Sequence, residues 1–165
     1  MTKHARLTML LAIAAVLVFQ SHVVSADDWI PDGTYRLAKR ELTGGPTLFP
    51  PAVMGLATYD KGVRNINVLW QTPDGKPVSV STTATYQLTS TEYVETPMFN
   101  MFNDPSSGPP TYTVGGPTKT LPVVRSGRKL QFTPPGAPTM VFDGPDRFTA
   151  TIEGVLIDYW EKVKP

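Results

Sequence analysis

The chain contains no cysteine, and its two histidines, His4 and His22, both lie near the N-terminus. The first absence excludes disulfides, thiol nucleophiles and thiolate metal sites. The second leaves nearly all of the chain without an imidazole, so a Ser-His-Asp triad or a histidine-based metal site has no residues to be built from. Charge of a dominant sign is missing too, with 15 basic residues against 14 acidic ones. No basic footprint for nucleic acid and no polybasic stripe for a membrane surface can be drawn from so even a distribution. The carboxylate groupings are equally spare. Asp27 and Asp28 read as a solvated terminus, and Asp143 and Asp146 flank Gly144-Pro145 as turn residues; a calcium loop needs six to eight oxygen ligands. The sequence therefore assigns no metal, no cofactor and no catalytic residue.

Lys3, His4 and Arg6 form a positive start, Leu7–Phe19 is an apolar run of 13 residues, and Val24-Ser25-Ala26 places small or short side chains before Asp27. This three-part pattern is that of a secretory signal peptide. The run is too short to cross a hydrocarbon layer, for which about 20 residues are needed. The pattern predicts a leader over residues 1–26, cleavage before Asp27, a periplasmic or secreted location, and no membrane insertion of what remains. Removing 26 of 165 residues leaves 139, enough for one domain with a core of its own, 27–165. Loss of Lys3 and Arg6 leaves 13 basic and 14 acidic residues.

All 17 prolines and all 13 glycines fall after the leader. Proline is then more than twice its average share of about 5%, and with glycine it breaks helices and punctuates short strands. No stretch beyond Asp27 keeps a helical apolar period. Alternation of period two is clear instead. Val78, Val80, Ala84, Tyr86 and Leu88 share one face of 78–88, with Ser79, Ser81, Thr83, Thr85 and Gln87 on the other, and Ile66, Val68 and Trp70 oppose Asn65 and Asn67. The pattern predicts strands over 33–42, 53–60, 63–71, 77–88, 92–102, 111–115, 121–125, 128–133, 139–143 and 147–163, the last interrupted by a bulge or corner at Gly154. Turn residues separate them, as at Asp60-Lys61-Gly62 and Thr72-Pro73-Asp74-Gly75. Long loops are expected over 43–51 and 103–110. Successive strands with short reversals make an antiparallel up-and-down sheet, and closing eight to ten of them into a barrel removes the exposed edges.

Gly33-Thr34-Tyr35-Arg36-Leu37 followed by Gly55-Leu56-Ala57-Thr58-Tyr59-Asp60, with Asp158-Tyr159-Trp160-Glu161-Lys162 near the end, resembles the bacterial lipocalin-like domains. In those domains a Gly-Thr-Trp strand precedes a hairpin of similar pattern; here Tyr35 takes the place of the tryptophan. The resemblance implies a cup-shaped barrel holding a small, mostly apolar molecule.

Alternation by itself points Trp70, Tyr86, Phe99, Phe132 and Phe142 into such a barrel, either as core filling or as the wall of a ligand cavity. Arg64 shares a face with Ile66, Val68 and Trp70, and an unbroken strand over 92–102 groups Tyr93, Glu95, Pro97, Phe99 and Met101. Arg64 and Glu95 are candidates for polar groups that orient a ligand inside an apolar cup, or for a structural pair, because charges are seldom buried alone. The segment Met98–Phe102 is apolar on both faces and suits a lid or a partner contact. Three functions follow: a carrier of a small hydrophobic or amphipathic ligand bound by Arg64, Trp70, Tyr86, Glu95, Phe99, Phe132 and Phe142; a cofactor-free barrel enzyme of isomerase or cyclase type with Glu95 as acid or base; or an interaction module with a filled core.

Overall fold

The computed structural model describes residues 29–134 and 136–164, so the predicted leader and Asp27-Asp28 lie outside the described residues. No helix occurs among the described residues. Thirteen strands form one sheet: β1 (Gly33–Leu42), β2 (Thr47–Leu48), β3 (Val53–Asp60), β4 (Val63–Gln71), β5 (Pro77–Leu88), β6 (Glu92–Asn103), β7 (Thr111–Val114), β8 (Lys119–Pro122), β9 (Val124–Ser126), β10 (Lys129–Phe132), β11 (Thr139–Asp143), β12 (Arg147–Ile152) and β13 (Leu156–Lys162). The four long strands β1, β3, β4 and β5 begin and end where the alternation and turn residues place them. The β3–β4 reversal is a two-residue loop in which Lys61 and Gly62 both have positive φ, 45° and 78°. That is the backbone of the tight hairpin whose twist suits the strands it joins.

Neighbours along the sheet run β7-β6-β5-β4-β3-β1-β13-β12-β11-β10-β9, with β2 beside β1 and β8 beside β6. Every pairing is antiparallel, and the sheet curls. Its two ends are bridged by one stretch of chain. Lys119–Pro122 pairs with β6 from Glu95 to Glu92, while Val124–Ser126 pairs with β10. The change of partner occurs at Val123, whose N–H donates to the Thr91 carbonyl at 2.8 Å. Since Val123 turns its backbone to β6, Pro122 turns away from β6, and without an N–H it has none to offer the β10 side. Pairing with β10 begins only at Val124, and the single strand expected over 121–125 divides into β8 and β9.

Two further expectations are corrected. The chain does not bulge at Gly154 but reverses there: Ile152 pairs with Leu156, and Gly154 has φ 71° in the three-residue turn between β12 and β13. The long loop 43–51 contains β2. The true bulges lie elsewhere, at Ala38 in β1, where the register shifts between Leu37 and Lys39, and at Met98 in β6, where Thr83 pairs with Phe99 but Ala84 with Pro97. Each inserts one residue and exchanges the faces of all that follow.

The inner face carries Tyr35, Leu37, Val53, Ala57, Tyr59, Tyr86, Tyr93, Leu130, Phe132, Met140, Phe142, Phe148 and Trp160, all buried in one cluster. The residues just before β1 close one end of it. Pro31 is among the fully buried side chains, its carbonyl accepts from the Tyr86 hydroxyl at 3.3 Å, and the Trp29 ring meets Phe142 edge-on at 6.0 Å. Both terminal nitrogens of Arg125 donate to the Trp29 carbonyl at 3.2 Å.

Candidate functional site

Two buried ion pairs sit among these aromatics, one toward each end. In the first, Arg64 of β4 reaches across β5, where its cross-strand neighbour Ala84 contributes only a methyl group, to Glu95 of β6. Arg64 Nε donates to Glu95 Oε2 and Nη2 to Oε1, both at 2.9 Å, and Nη1 donates to Thr82 Oγ1 at 3.1 Å. The Tyr93 hydroxyl donates to Glu95 Oε2. Arg64 is 4% exposed and Glu95 3%. A forked guanidinium–carboxylate pair of this kind is among the strongest arrangements available to buried charge.

Burial works against the charge on Arg64, but Tyr59, Tyr93 and Glu95 around it outweigh that and hold its proton affinity above the ordinary arginine value. Burial raises Tyr93 and Tyr59 well above the usual phenol range, only partly offset by Arg64, and pushes Tyr35 up to about 12. Arg64 is therefore held as a cation among neutral phenols. Both Glu95 oxygens accept from Arg64, and Oε2 accepts from Tyr93 as well. The Tyr59 hydroxyl and Trp160 Nε1 are buried without a hydrogen-bond partner.

The second pair joins Arg40 of β1 to Asp158 of β13, with Nε to Oδ1 at 2.6 Å and Nη2 to Oδ2 at 2.8 Å. The guanidinium also lies 4.6 Å from the centroid of the Trp70 ring, so a cation–π contact adds to the ion pair. Strict alternation from Tyr35 and Leu37 would put Lys39 and Glu41 inside and Arg40 outside. The Ala38 bulge reverses this: Arg40 is 4% exposed, while Lys39 pairs with Glu41 on the outer face. Asp158 carried a usable signal, since it shares the phase of Trp160, but its partner was hidden by the bulge.

Of the residues singled out from the sequence, Arg64, Trp70, Tyr86, Glu95, Phe132 and Phe142 lie on the inner face. Phe99 does not. The bulge at Met98 turns it to the outer face with Thr83, where its ring stands 6.4 Å from Tyr112. The inner aromatics meet one another: Tyr93 stacks on Phe132 at 4.2 Å, Phe142 lies 4.6 Å from Phe148, and Phe148 stacks on Trp160 at 5.3 Å. Of the six inner residues, Tyr86, Phe132 and Phe142 join this aromatic cluster, Arg64 and Glu95 pair with each other, and Trp70 lies against Arg40.

Open concavities occur on the outer face. The larger, about 850 Å³, lies over β1, β3, β4, β5 and β6 and is mostly apolar, with Met54, Leu56, Leu69 and Met101 beside Asn67 and Ser81. Leu56 is 52% exposed there. A second, about 620 Å³, over β11, β12, β13 and β1, mixes Phe49 and Val141 with Lys39, Lys129, Asp143 and Arg147. Among the described residues no group of three or more His, Cys, Asp or Glu side chains converges. The chain matches no family model, no curated protein and no solved structure in the comparisons made with them.

Proposed function

We propose that the protein is an exported, lipocalin-like barrel that works as a binding module through its outer surface, with its interior serving as a scaffold. In this reading Lys119–Ser126 completes the ring as its tenth strand, β8 and β9 counting as one and β2 and β7 lying outside the ring. One observation carries the reading. The inner aromatics pack on one another and the inner charges form two forked ion pairs, while a groove of about 850 Å³ lined by Met54, Leu56, Leu69 and Met101 faces outward. Its size is that of a site for a small apolar molecule or a partner's side chains.

The test uses residues 27–165 and an environment-sensitive apolar dye. Dye emission is expected to rise on mixing and to fall several-fold in Leu56→Glu and Leu69→Glu, with Trp70→Phe behaving as wild type. Dye binding that survives both glutamate variants would overturn the groove reading. A carrier holding its ligand inside remains a second reading, favoured by the unpartnered Tyr59 hydroxyl and Trp160 Nε1. Native mass spectrometry separates the two, because an interior cargo gives a discrete added mass that disappears on denaturation.

A further inference from the structure

Strand β7 ends the sheet, and its character differs from every other strand. All four residues, Thr111 to Val114, are exposed on both faces, with Tyr112 at 65% and Val114 at 84%. It is bonded along one edge only, to β6. The orientation of its free edge can be worked out. Gly115 N–H donates to the Met98 carbonyl at 2.9 Å, and that pair continues the register Val114↔Phe99, Thr113↔Asn100, Tyr112↔Met101. Hydrogen-bonded and non-hydrogen-bonded pairs alternate in an antiparallel ladder. Thr111 and Thr113 therefore turn their backbone groups to β6, and Tyr112 and Val114 turn theirs away. Among the described residues no backbone partner meets them. Such an edge is a template for another strand.

We infer that the occupant of this edge is β7 of a second copy, paired antiparallel about a two-fold axis through Thr113. Two features select a copy of the same chain. A two-fold interface sets each patch against itself, so a charged patch would repel its mate. From Thr96 to Thr118 the only charged residue is Asp104. The free groups are also spaced for self-pairing: Tyr112 and Val114 of one copy exchange four hydrogen bonds with Val114 and Tyr112 of the other. In that register the Tyr112 ring packs across the strands on the Val114 side chain of its mate. The exposed Met98 and Phe102 lie on the adjoining strand. Pro110 before β7 and Pro117 after it keep the pairing short, and joining the two edges consumes both, so the assembly closes at a dimer. This inference does not depend on what the outer groove binds.

The register makes one residue diagnostic. Thr113 faces its own symmetry mate as a non-hydrogen-bonded pair, where Cα atoms stand about 4.5 Å apart, within the range a disulfide spans. Because the chain has no cysteine, a single introduced thiol reports without interference. Thr113→Cys is expected to form a disulfide-linked dimer at least about tenfold faster than Ser90→Cys, an exposed position at the opposite end of β6. Wild-type residues 27–165 should show a sedimentation-derived mass rising toward the dimer between about 1 µM and about 1 mM, the range of weak association. Val114→Lys should hold it at the monomer with an unchanged melting temperature. A monomer at every concentration overturns the inference. So does a dimer whose Thr113→Cys thiols link no faster than those of Ser90→Cys, since such a dimer uses another surface.

Discussion

Glu95→Gln is the sharpest test of how the interior is held. The substitution keeps the shape of the side chain and its capacity to accept from Tyr93, but removes the anion facing Arg64. The guanidinium is 4% exposed and its other side-chain partner is the neutral Thr82 hydroxyl, 3.1 Å away. Breaking a buried pair from one side costs about 3–5 kcal/mol, because the remaining charge stays in a medium that solvates it poorly. In a domain of this size each kcal/mol moves the melting temperature by roughly 3–5 °C, so the variant should melt about 10–20 °C below wild type. Removing both charges is a different perturbation. Arg64→Met combined with Glu95→Leu leaves no uncompensated charge and should fall within about 2 kcal/mol of wild type, far short of the sum of the single effects. Thermal melting and urea titration of wild type, Arg64→Met, Glu95→Leu and the double variant complete the cycle, with Glu95→Gln measured beside them. Single variants that melt within about 3 °C of wild type would refute the reasoning, since water would then be reaching the pair.

Gly55 and Gly154 separate steric from conformational cost. A Cβ at Gly55 would lie 2.7 Å from Trp160 Cη2, 3.1 Å from the Asn67 carbonyl oxygen and 3.2 Å from Leu37 Cβ, so Gly55→Ala should cost about 1–3 kcal/mol by overpacking. At Gly154 nothing lies within 4 Å but φ is 71°, so Gly154→Ala should cost about 1 kcal/mol through backbone strain alone; urea unfolding measures both. Trp29→Ala removes the ring that covers Phe142 at the closed end and should destabilise by about 2 kcal/mol, less than a fully buried tryptophan because Trp29 is only partly buried. Amide exchange of the segment around Pro31 should rise with it. Alkaline pH should also unfold the protein. Tyr35 has its folded value raised to about 12 from 10.0, and Tyr59 and Tyr93 are raised further. Stability from these phenols is complete below pH 10 and is lost as pH climbs through the folded values, because the unfolded chain ionises first. Tyrosinate absorbance should therefore rise together with unfolding, and Tyr35→Phe should soften the decline; phenols that ionise reversibly near pH 10 in the folded protein would contradict it.

The strand pattern is legible in the sequence because alternation and turn chemistry are local. Val63–Gln71 and Pro77–Leu88 each obey one unbroken phase, and Lys61-Gly62 accommodates the reversal on its own. Arg64 could be placed on the inner side for the same reason, whereas both faces of 92–102 are apolar and left the direction of Glu95 open. Their mutual pairing was open, because two strands separated by a third give no local sign of register. Phe99 was misplaced and Arg40 overlooked by one mechanism. A bulge inserts a single residue, leaves composition untouched and inverts the faces beyond it, and neither Ala38 nor Met98 has a side chain that announces one.

What the sequence determined by itself, then, was an all-β chain and the order and extents of its long strands, together with an inventory without thiol or imidazole chemistry beyond His22. These depend on neighbours one to four residues apart. Only the tertiary structure decided which charges meet, that the chain changes partner from β6 to β10 at Val123, and which inner aromatics pack on one another. Those outcomes rest on registers between residues 31 and 118 positions apart in the pairs Arg64–Glu95 and Arg40–Asp158. Contacts at such separation are set by packing of the whole sheet.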